Sequence, residues 1–512
     1  MKLAAIDIGT NSVHMIIADA DGRGRFDVLE REKAMVKLGA GVFASREIGA
    51  RAFSEGLETI RRYVHLADRY GVDEILTAAT SATREARNGG AFLDAVVAET
   101  GLAPAVITGA EEARLIFLAV RNAIALRDEN VLVFDIGGGS TEAVVGNARD
   151  IVMGKSMMSG VLRLLDMVGH DGPLGTEARA VLDAHIRFVS EGVVAEARRH
   201  GFERVIGTSG TIRTLGEAAH LAEGGKPLRN VNAETVSLNS LRELTERLVA
   251  AAPEKRSAIP GIPARRNDAI HLGGVLLVRL LELAGVETLT LCDASLREGL
   301  ILDYLERTVP GAEIRSAAGD LRHRSMAHLA RRYDVDWNRN GHVARIAVAL
   351  FDESARFHGL GLAERELLEF ATLIHDVGQY IGFQGYHHHS RYLIEHAGLR
   401  GLTDDEVLLI ALIARYHRGE RPRKRHKELI DLTKGQRRTV AVLSGLLRLA
   451  VALDKTKNQV VESVTAAAKG DTVHFLVAGR GDMELELWAA KANRSPLEKA
   501  LKRSVVLSPG GP

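Results

Sequence analysis

The sequence predicts an α/β fold built twice, followed by an all-helical region and a small α+β tail. Three observations carry this expectation. Two glycine turns, "DIGTNS" from Asp7 and "DIGGGS" from Asp135, recur 128 residues apart, each between apolar, β-rich arms. Strand-like and helix-like segments alternate through roughly the first 310 residues. Beyond about residue 313 the strand pattern stops, and amphipathic helical spacing runs almost unbroken to about residue 460.

Taken in order, "LAAIDIGTNSVHMIIAD" reads as strand, tight turn, strand. "EIGARAFSEGLETIRRYVHLADRYG" has helical apolar spacing, "VDEILTAATSATREA" reads as strand and loop, and "GAFLDAVVAET" as helix. "APAVITG" is a further strand, and "AEEARLIFLAVRNAI" a helix beginning directly after Gly109. A second block opens near Asn130 and repeats the plan through "NVLVFDIGGGSTEAVVG", "ERVIGTSGTIRTLGEAA" and "TLTLCDASLREGLILDYL", with long helical stretches between them. The later helices are broken at "YDVDWNRNG", "FHGLGL" and "FQGYHHH", and the tail from "DTVHFLVAGRG" returns to strands and one helix. The expected domains are therefore 1–128, 129–310, 311–465 and 466–512.

At 512 residues the chain is too long for one core, and 46% hydrophobic with 26% charged residues describes an ordinary globular protein. The single cysteine, Cys292, excludes an intramolecular disulfide and is expected to pack as a small apolar residue. The opening residues pass straight into a strand and no run of 18 apolar residues follows, so a cytoplasmic protein without membrane attachment is expected. A net charge of +1 argues against general nucleic-acid affinity. Residues 415–438 nevertheless carry ten Lys/Arg against three acids. That run is either a solvated face or a polyanion track, for which Arg421, Arg423, Lys424 and Arg425 are the candidates.

The loops supply the chemistry. Glycine lets backbone N–H groups converge on an anion, and the hydroxyls of Thr10, Ser12, Ser140 and Thr141 add donors beside Gly9, Asn11, Gly137, Gly138 and Gly139. Asp7 and Asp135, at the strand ends, would repel a bare phosphate, so a magnesium ion between carboxylate and phosphate is expected. "GTSGTIR" offers Gly207, Ser209, Gly210 and Thr211 at a strand-to-helix junction, another phosphate cradle. Arg84, on the expected loop "TSATREA", is a candidate phosphate clamp. In "TGAEEARLIF", Glu111 and Glu112 open a helix and point roughly 100° apart, so one of them can face a cleft as general base for a water.

In this order and spacing, "AIDIGTNSVHMIIA", "SATREA", "TGAEEARLIF", "FDIGGGSTE", "GTSGTIR" and "LREGL" resemble the exopolyphosphatase / guanosine pentaphosphate phosphatase family of the actin-like phosphotransferase superfamily. The resemblance implies two actin-like (ribonuclease H-like) domains, with Glu112 as catalytic base and Asp135 and Glu142 beside magnesium. It also implies phosphate-binding loops at 9–12, 137–141 and 207–211, supplemented by Asp7, Arg84 and Arg266. Polyphosphate and guanosine pentaphosphate are the implied substrates and a homodimer the implied assembly. The helical extension resembles the long members of the family, with an HD-like domain. Here His342, the pair His375 and Asp376, and Asp454 follow the order of HD-type metal phosphohydrolases, so a second divalent ion is expected at them. Two other readings share these features: an actin-like kinase or ATPase, and a helical-domain phosphohydrolase carrying a nucleotide-sensing amino-terminal half.

Overall fold

The computed structural model describes residues 1–21, 25–309, 318–469 and 472–510. The chain divides into two compact units, Met1–Leu321 and Arg322–Pro512.

The first unit is organised on two mixed sheets. In one, β1 (Lys2–Ile8), β2 (Val13–Ala20), β3 (Phe26–Ala34), β4 (Glu74–Ala79) and β5 (Ala105–Val106) lie in the order β3-β2-β1-β4-β5. In the other, β6 (Val131–Ile136), β7 (Thr141–Gly146), β8 (Ile151–Met157), β9 (Arg204–Thr208), β10 (Thr235–Ser237) and β11 (Thr288–Leu291) lie in the order β10-β11-β9-β6-β7-β8. In each sheet the strand that enters a glycine turn is central, antiparallel to the strand that leaves it and parallel to a later strand on its other side. Central placement explains the apolar arms, since every residue of β6 and β7 is buried. Ladder pairing sets Asp7 opposite His14 and Asp135 opposite Glu142.

Helices cover both sheets. Ala50–Tyr70 buries Gly56, Ile60, Tyr63 and Ala67 against the first sheet's core, the face its spacing predicts. Gly109–Ala123 packs on the second sheet through Leu115, Phe117 and Val120, which share a core with Val131, Val133 and Val144. Leu296–Thr308 begins at a capping box made by Ser295 and Glu298 and returns to the first sheet, where Ile301, Leu302 and Leu305 pack against Leu3, Ala5 and Ile16. Gly299 allows that return: a Cβ there would lie 2.1 Å from the Leu115 carbonyl oxygen, so the two helices touch at backbone distance. Two sequence readings are corrected in this unit. "SATRE" is a short helix, Ser81–Glu85, so Arg84 does not lie on a loop, and the strand in "APAVITG" is only two residues long.

In the second unit, the helices Trp337–Glu353, Leu362–Ile374, Asp404–Tyr416 and Lys434–Ala452 precede a three-stranded sheet of β12 (Val461–Lys469), β13 (Thr472–Gly479) and β14 (Ser504–Pro509), in the order β12-β13-β14. The helices and this sheet share one core, in which Leu446 and Phe370 belong with Phe475 and Val505. The expected boundary at 465 therefore falls inside β12, and the tail has no core of its own. Among the described residues no helix is long and apolar enough to cross a membrane.

Candidate active site

The two hairpin turns are closed alike: the Gly9 N–H donates to the Ser12 carbonyl at 3.2 Å, and the Gly137 N–H to the Ser140 carbonyl at 2.9 Å. They also abut, because a Cβ on Gly138 would lie 2.9 Å from Thr10 Cβ and 3.2 Å from the Asn11 nitrogen. Behind the second turn stands the helix Val161–Val168, whose first N–H groups donate to the carbonyls of Gly137 (3.1 Å) and Gly138 (2.8 Å). Across a trans peptide the following N–H points opposite to the carbonyl, so this pairing turns the N–H groups of Gly138 and Gly139 away from that helix, as an anion cradle requires. A third loop follows β9, where Ser209 opens the helix Ser209–Ala222 at φ 89°, a strained backbone for a residue with a Cβ and one found chiefly at functional turns.

These loops converge on one open pocket. It is lined by Asp7, Gly9, Thr10, Asn11 and Ser12 from the first turn and by Asp135, Gly137, Gly138, Gly139, Ser140 and Glu142 from the second hairpin. Ser209, Gly210 and Thr211 come from the third loop, and Glu112 and Arg266 complete the expected set. The Arg266 guanidinium lies against Gly210, where a Cβ would come within 2.0 Å of its Nη2.

Three expected residues lie elsewhere. Thr141 is buried in β7 and donates its hydroxyl to the Ser159 carbonyl, so its Oγ1–H is already engaged. Gly207 is buried in β9, where a Cβ would strike Ile212 and Leu289. Arg84 does not line the pocket. Its Nη1 donates to the Ile107 carbonyl at 2.6 Å and stands 3.6 Å from Glu112 Oε2, so it anchors the start of the Glu112 helix and partly offsets that acid's charge.

The helix geometry separates the two glutamates. Thr108 caps the helix by accepting from the Glu111 N–H at 3.2 Å. Glu111 is held outward by a two-pronged ion pair with Arg114 (2.7 and 2.8 Å), which lowers its pKa, and Arg114 also reaches Asp303 at 2.6 Å. Glu112 faces the pocket. Burial and the nearby Glu142 raise its pKa well above the ordinary carboxylate range, against the pull of Arg84.

Four buried carboxylates thus share the pocket, and all resist ionisation. Asp7 is pushed up to about 6 by burial, with Arg297 and Lys33 pulling the other way. Asp135 is also raised, by burial, Glu142 and Asp7, and Glu142 by burial despite hydrogen bonds from Ser156 and Ser140. Asp7 Oδ1, Asn11 Oδ1 and Glu112 Oε2 are buried with no hydrogen-bond partner. Orphaned acceptors and crowded buried acids at one place are what a hard cation would relieve, and Asp7, Asp135 and Glu142 are the donors it would meet. Among the described residues no three His, Cys, Asp or Glu side chains are placed to hold an ion by themselves.

Sequence reasoning missed five polar residues of the lining: His14, Lys33, Thr80, Ser295 and Arg297. His14 Nε2 is 2.6 Å from Ser12 Oγ and is kept neutral by burial and by Arg297, Lys33, Arg266 and Arg213 around it. Arg297 lies within "LREGL", a stretch whose position was visible although no role followed from it.

The HD-like residues lie in the second unit and depart from the expected metal set. Arg339 Nε donates to Asp454 Oδ2 at 3.0 Å, and its Nη1 is 3.8 Å from Asp376 Oδ2, so a guanidinium already neutralises both buried acids. Asp376 Oδ1 also accepts from Asn340 Nδ2 at 2.7 Å. His375 Nδ1 bonds the Thr372 carbonyl, and His342 Nδ1 lies 3.1 Å from Arg345 Nη2. Arg421, Arg423, Lys424 and Arg425 belong to the irregular segment between Asp404–Tyr416 and Lys434–Ala452, half-buried to exposed.

Two α/β domains with abutting glycine turns and a buried acid cluster place the first unit in the actin-like class, and the comparisons narrow that class to phosphohydrolases. The family comparison bears this out: the Ppx/GppA phosphatase family matches residues 15–308, and its domain III matches residues 321–495. The chain belongs to the Ppx/GppA phosphatase family and is a phosphoanhydride hydrolase. Among solved structures it is similar to an exopolyphosphatase from Cytophaga hutchinsonii, at 29% identity and a TM-score of 0.56 over 60% of this chain and 98% of that one. It is similar also to the Aquifex aeolicus member of the Ppx/GppA family, at 26% identity and a TM-score of 0.51 over 60% of this chain and 98% of that one.

Proposed function

We propose that the pocket is an exopolyphosphatase site, releasing terminal inorganic phosphate from polyphosphate by attack of water, with magnesium as cofactor. The observation that carries this reading is the convergence of four buried carboxylates on two abutting glycine turns and a helix start. Asp7, Asp135 and Glu142 would hold magnesium, which when bound neutralises phosphoryl oxygens that these acids would otherwise repel. The N–H groups of Gly138 and Gly139 and the hydroxyls of Thr10, Ser12 and Ser140 receive the terminal phosphoryl group. Glu112 orients a water and takes its proton as the water oxygen bonds to the terminal phosphorus. The phosphorus–oxygen bond to the next phosphate breaks, and its electron pair leaves on the shortened chain. Burial raises the proton affinity of the Glu112 carboxylate, which favours its taking that proton.

Placing catalysis in the helical unit has less support, because Arg339 already pairs with the two aspartates that would hold its metal. The test is phosphate release from long-chain polyphosphate and from guanosine pentaphosphate, measured side by side with magnesium and again with a chelator. Magnesium-dependent release from polyphosphate is expected. Release undiminished by chelation removes the metal from the account, and release from neither substrate removes the reaction.

A further inference from the structure

Behind the second glycine turn, one helix holds three successive carbonyls. The Val161 N–H donates to Gly137 at 3.1 Å, and the Leu162 and Arg163 N–H groups donate to Gly138 at 2.8 and 3.2 Å. The third carbonyl, Gly139, accepts from a side chain, Arg163 Nε, at 2.7 Å. Across each trans peptide the following N–H points the other way, so these bonds turn the N–H groups of Gly138, Gly139 and Ser140 away from the helix Val161–Val168. Among the described residues none of those three N–H groups donates to a backbone carbonyl. The first two are aimed by main chain, which any sequence supplies. The third, on Ser140, is aimed by one arginine.

The far end of that guanidinium is held by an element of the first sheet. Arg163 Nη2 donates to Glu85 Oε1 at 2.6 Å, and the same oxygen accepts from Ser81 Oγ at 2.8 Å. Glu85 ends the helix Ser81–Glu85, whose Ala82 N–H donates to Thr10 Oγ1 at 3.2 Å, on the first glycine turn. The Arg163 guanidinium carbon lies 3.9 Å from the centre of the Phe43 ring, and Phe43 and Ser81 together fill the space that a Cβ on Gly139 would need. A bracket thus joins the two turns from outside: Gly139, Arg163, Glu85, the short helix, Thr10. The side chains of Arg163 and Glu85 are only 12% and 17% exposed, and neither lines the pocket. Arg163 therefore acts on the site through Gly139 and Glu85.

We propose that Arg163 is a positioning residue of the pocket: its bridge from the Gly139 carbonyl to Glu85 aims the Ser140 N–H at the bound phosphoryl group and fixes the second turn against the first. The inference rests on the phosphoryl reading of the pocket given above. A guanidinium suits the task because Nε and Nη2 lie in one plane and reach two acceptors at once, which a single ammonium does not reproduce. The aimed N–H counts most as charge redistributes over the transferring phosphoryl group, so its loss falls on turnover more than on substrate binding. Asp166, on the same helix, accepts from the Gly41 N–H at 3.3 Å and, among the described residues, makes no hydrogen bond to either turn. It supplies the control for mere fastening of the helix.

The test uses full-length protein in magnesium, with phosphate release from long-chain polyphosphate, binding of orthovanadate, whose five-coordinate form copies a phosphoryl group in transfer, and a thermal melt. Arg163→Lys should lower kcat ~10-fold or more with KM within ~3-fold, and weaken orthovanadate by ~10-fold while inorganic phosphate shifts less than ~3-fold. Glu85→Ala frees the far end of the guanidinium and should lower kcat ~3-fold or more; the two changes together should be no slower than Arg163→Lys alone, because Glu85 acts through Arg163. Asp166→Ala should lower the melting temperature and leave kcat within ~2-fold. Unchanged kcat in folded Arg163→Lys, a rise in KM alone, or an equal fall of kcat in Asp166→Ala overturns the assignment. If the melt shows Arg163→Lys unfolded, Glu85→Ala decides, and wild-type kcat and orthovanadate affinity there overturn it too. Orthovanadate binding that weakens in these variants, in a protein that releases no phosphate, upholds the positioning role and sinks the hydrolytic reading alone.

Discussion

Glu112→Gln removes one proton acceptor and one negative charge from a buried site, and the two losses act in opposite directions. A positioned general base contributes about 10²- to 10⁴-fold to a hydrolysis, or roughly 3–5 kcal/mol of barrier. Turnover should therefore fall at least ~10²-fold, with little change in KM, because the turns proposed to bind substrate are untouched. Stability should move the other way. Glu112 Oε2 is buried without a hydrogen bond, faces Glu142 and is offset only by Arg84 at 3.6 Å. Glutamine keeps the shape, lets its oxygen face Arg84 and presents an N–H toward Glu142, so the thermal midpoint at neutral pH should rise. Steady-state phosphate release and a thermal melt on the same preparation check both halves. Glu111→Gln is the control. It loosens a half-exposed ion pair with Arg114, costs about 0–1 kcal/mol and should leave turnover within ~3-fold. Wild-type turnover in Glu112→Gln, or lost turnover accompanied by a lower melting point, refutes the reasoning.

Gly138→Val should abolish phosphate release, since even its Cβ would press on Thr10 and Asn11 and part the two turns; circular dichroism must show the protein folded, and a folded, active variant places the phosphate elsewhere. Asp7 should make the metal-free protein less stable as pH rises: its carboxyl keeps its proton to about 6 in the fold against an ordinary 3.8, so the folded form binds more protons over that window and loses roughly 3 kcal/mol by its upper end. Magnesium should offset that loss, so it should raise the melting temperature more near pH 7.5 than near pH 5, and an equal rise at both would contradict the assignment. Arg339→Ala should lower stability by about 3–5 kcal/mol in urea unfolding, because it leaves Asp376 and Asp454 buried without a counter-charge; an unchanged midpoint would mean that the guanidinium is not their partner in solution.

Much of the site was legible because its turns are local. Glycine, hydroxyl and acid within six residues state their geometry directly, and so do paired glutamates at a helix start. What could not be read comes from elements distant in the chain. Lys33 reaches the pocket only because β3 lies beside β2, and Arg297 only because its helix folds back on the first sheet through the Gly299 contact. Arg84 illustrates a different limit: its position in the sequence was apparent, but a single helical turn at Ser81–Glu85 carries its guanidinium to the Ile107 carbonyl and Glu112. The HD-like spacing was equally plain, while the arginine that neutralises its aspartates sits on another helix and carries no motif of its own.

The central claim is that one pocket in the first unit removes phosphates from the end of a chain. Its most direct test follows long-chain polyphosphate with purified full-length protein and magnesium, resolving chain length on a gel while inorganic phosphate is assayed from the first minute. Phosphate should appear without a lag, the remaining polymer should shorten from its end, and Glu112→Gln should do neither. Mid-length fragments at the outset, phosphate release that survives in Glu112→Gln, or no release at all would contradict it.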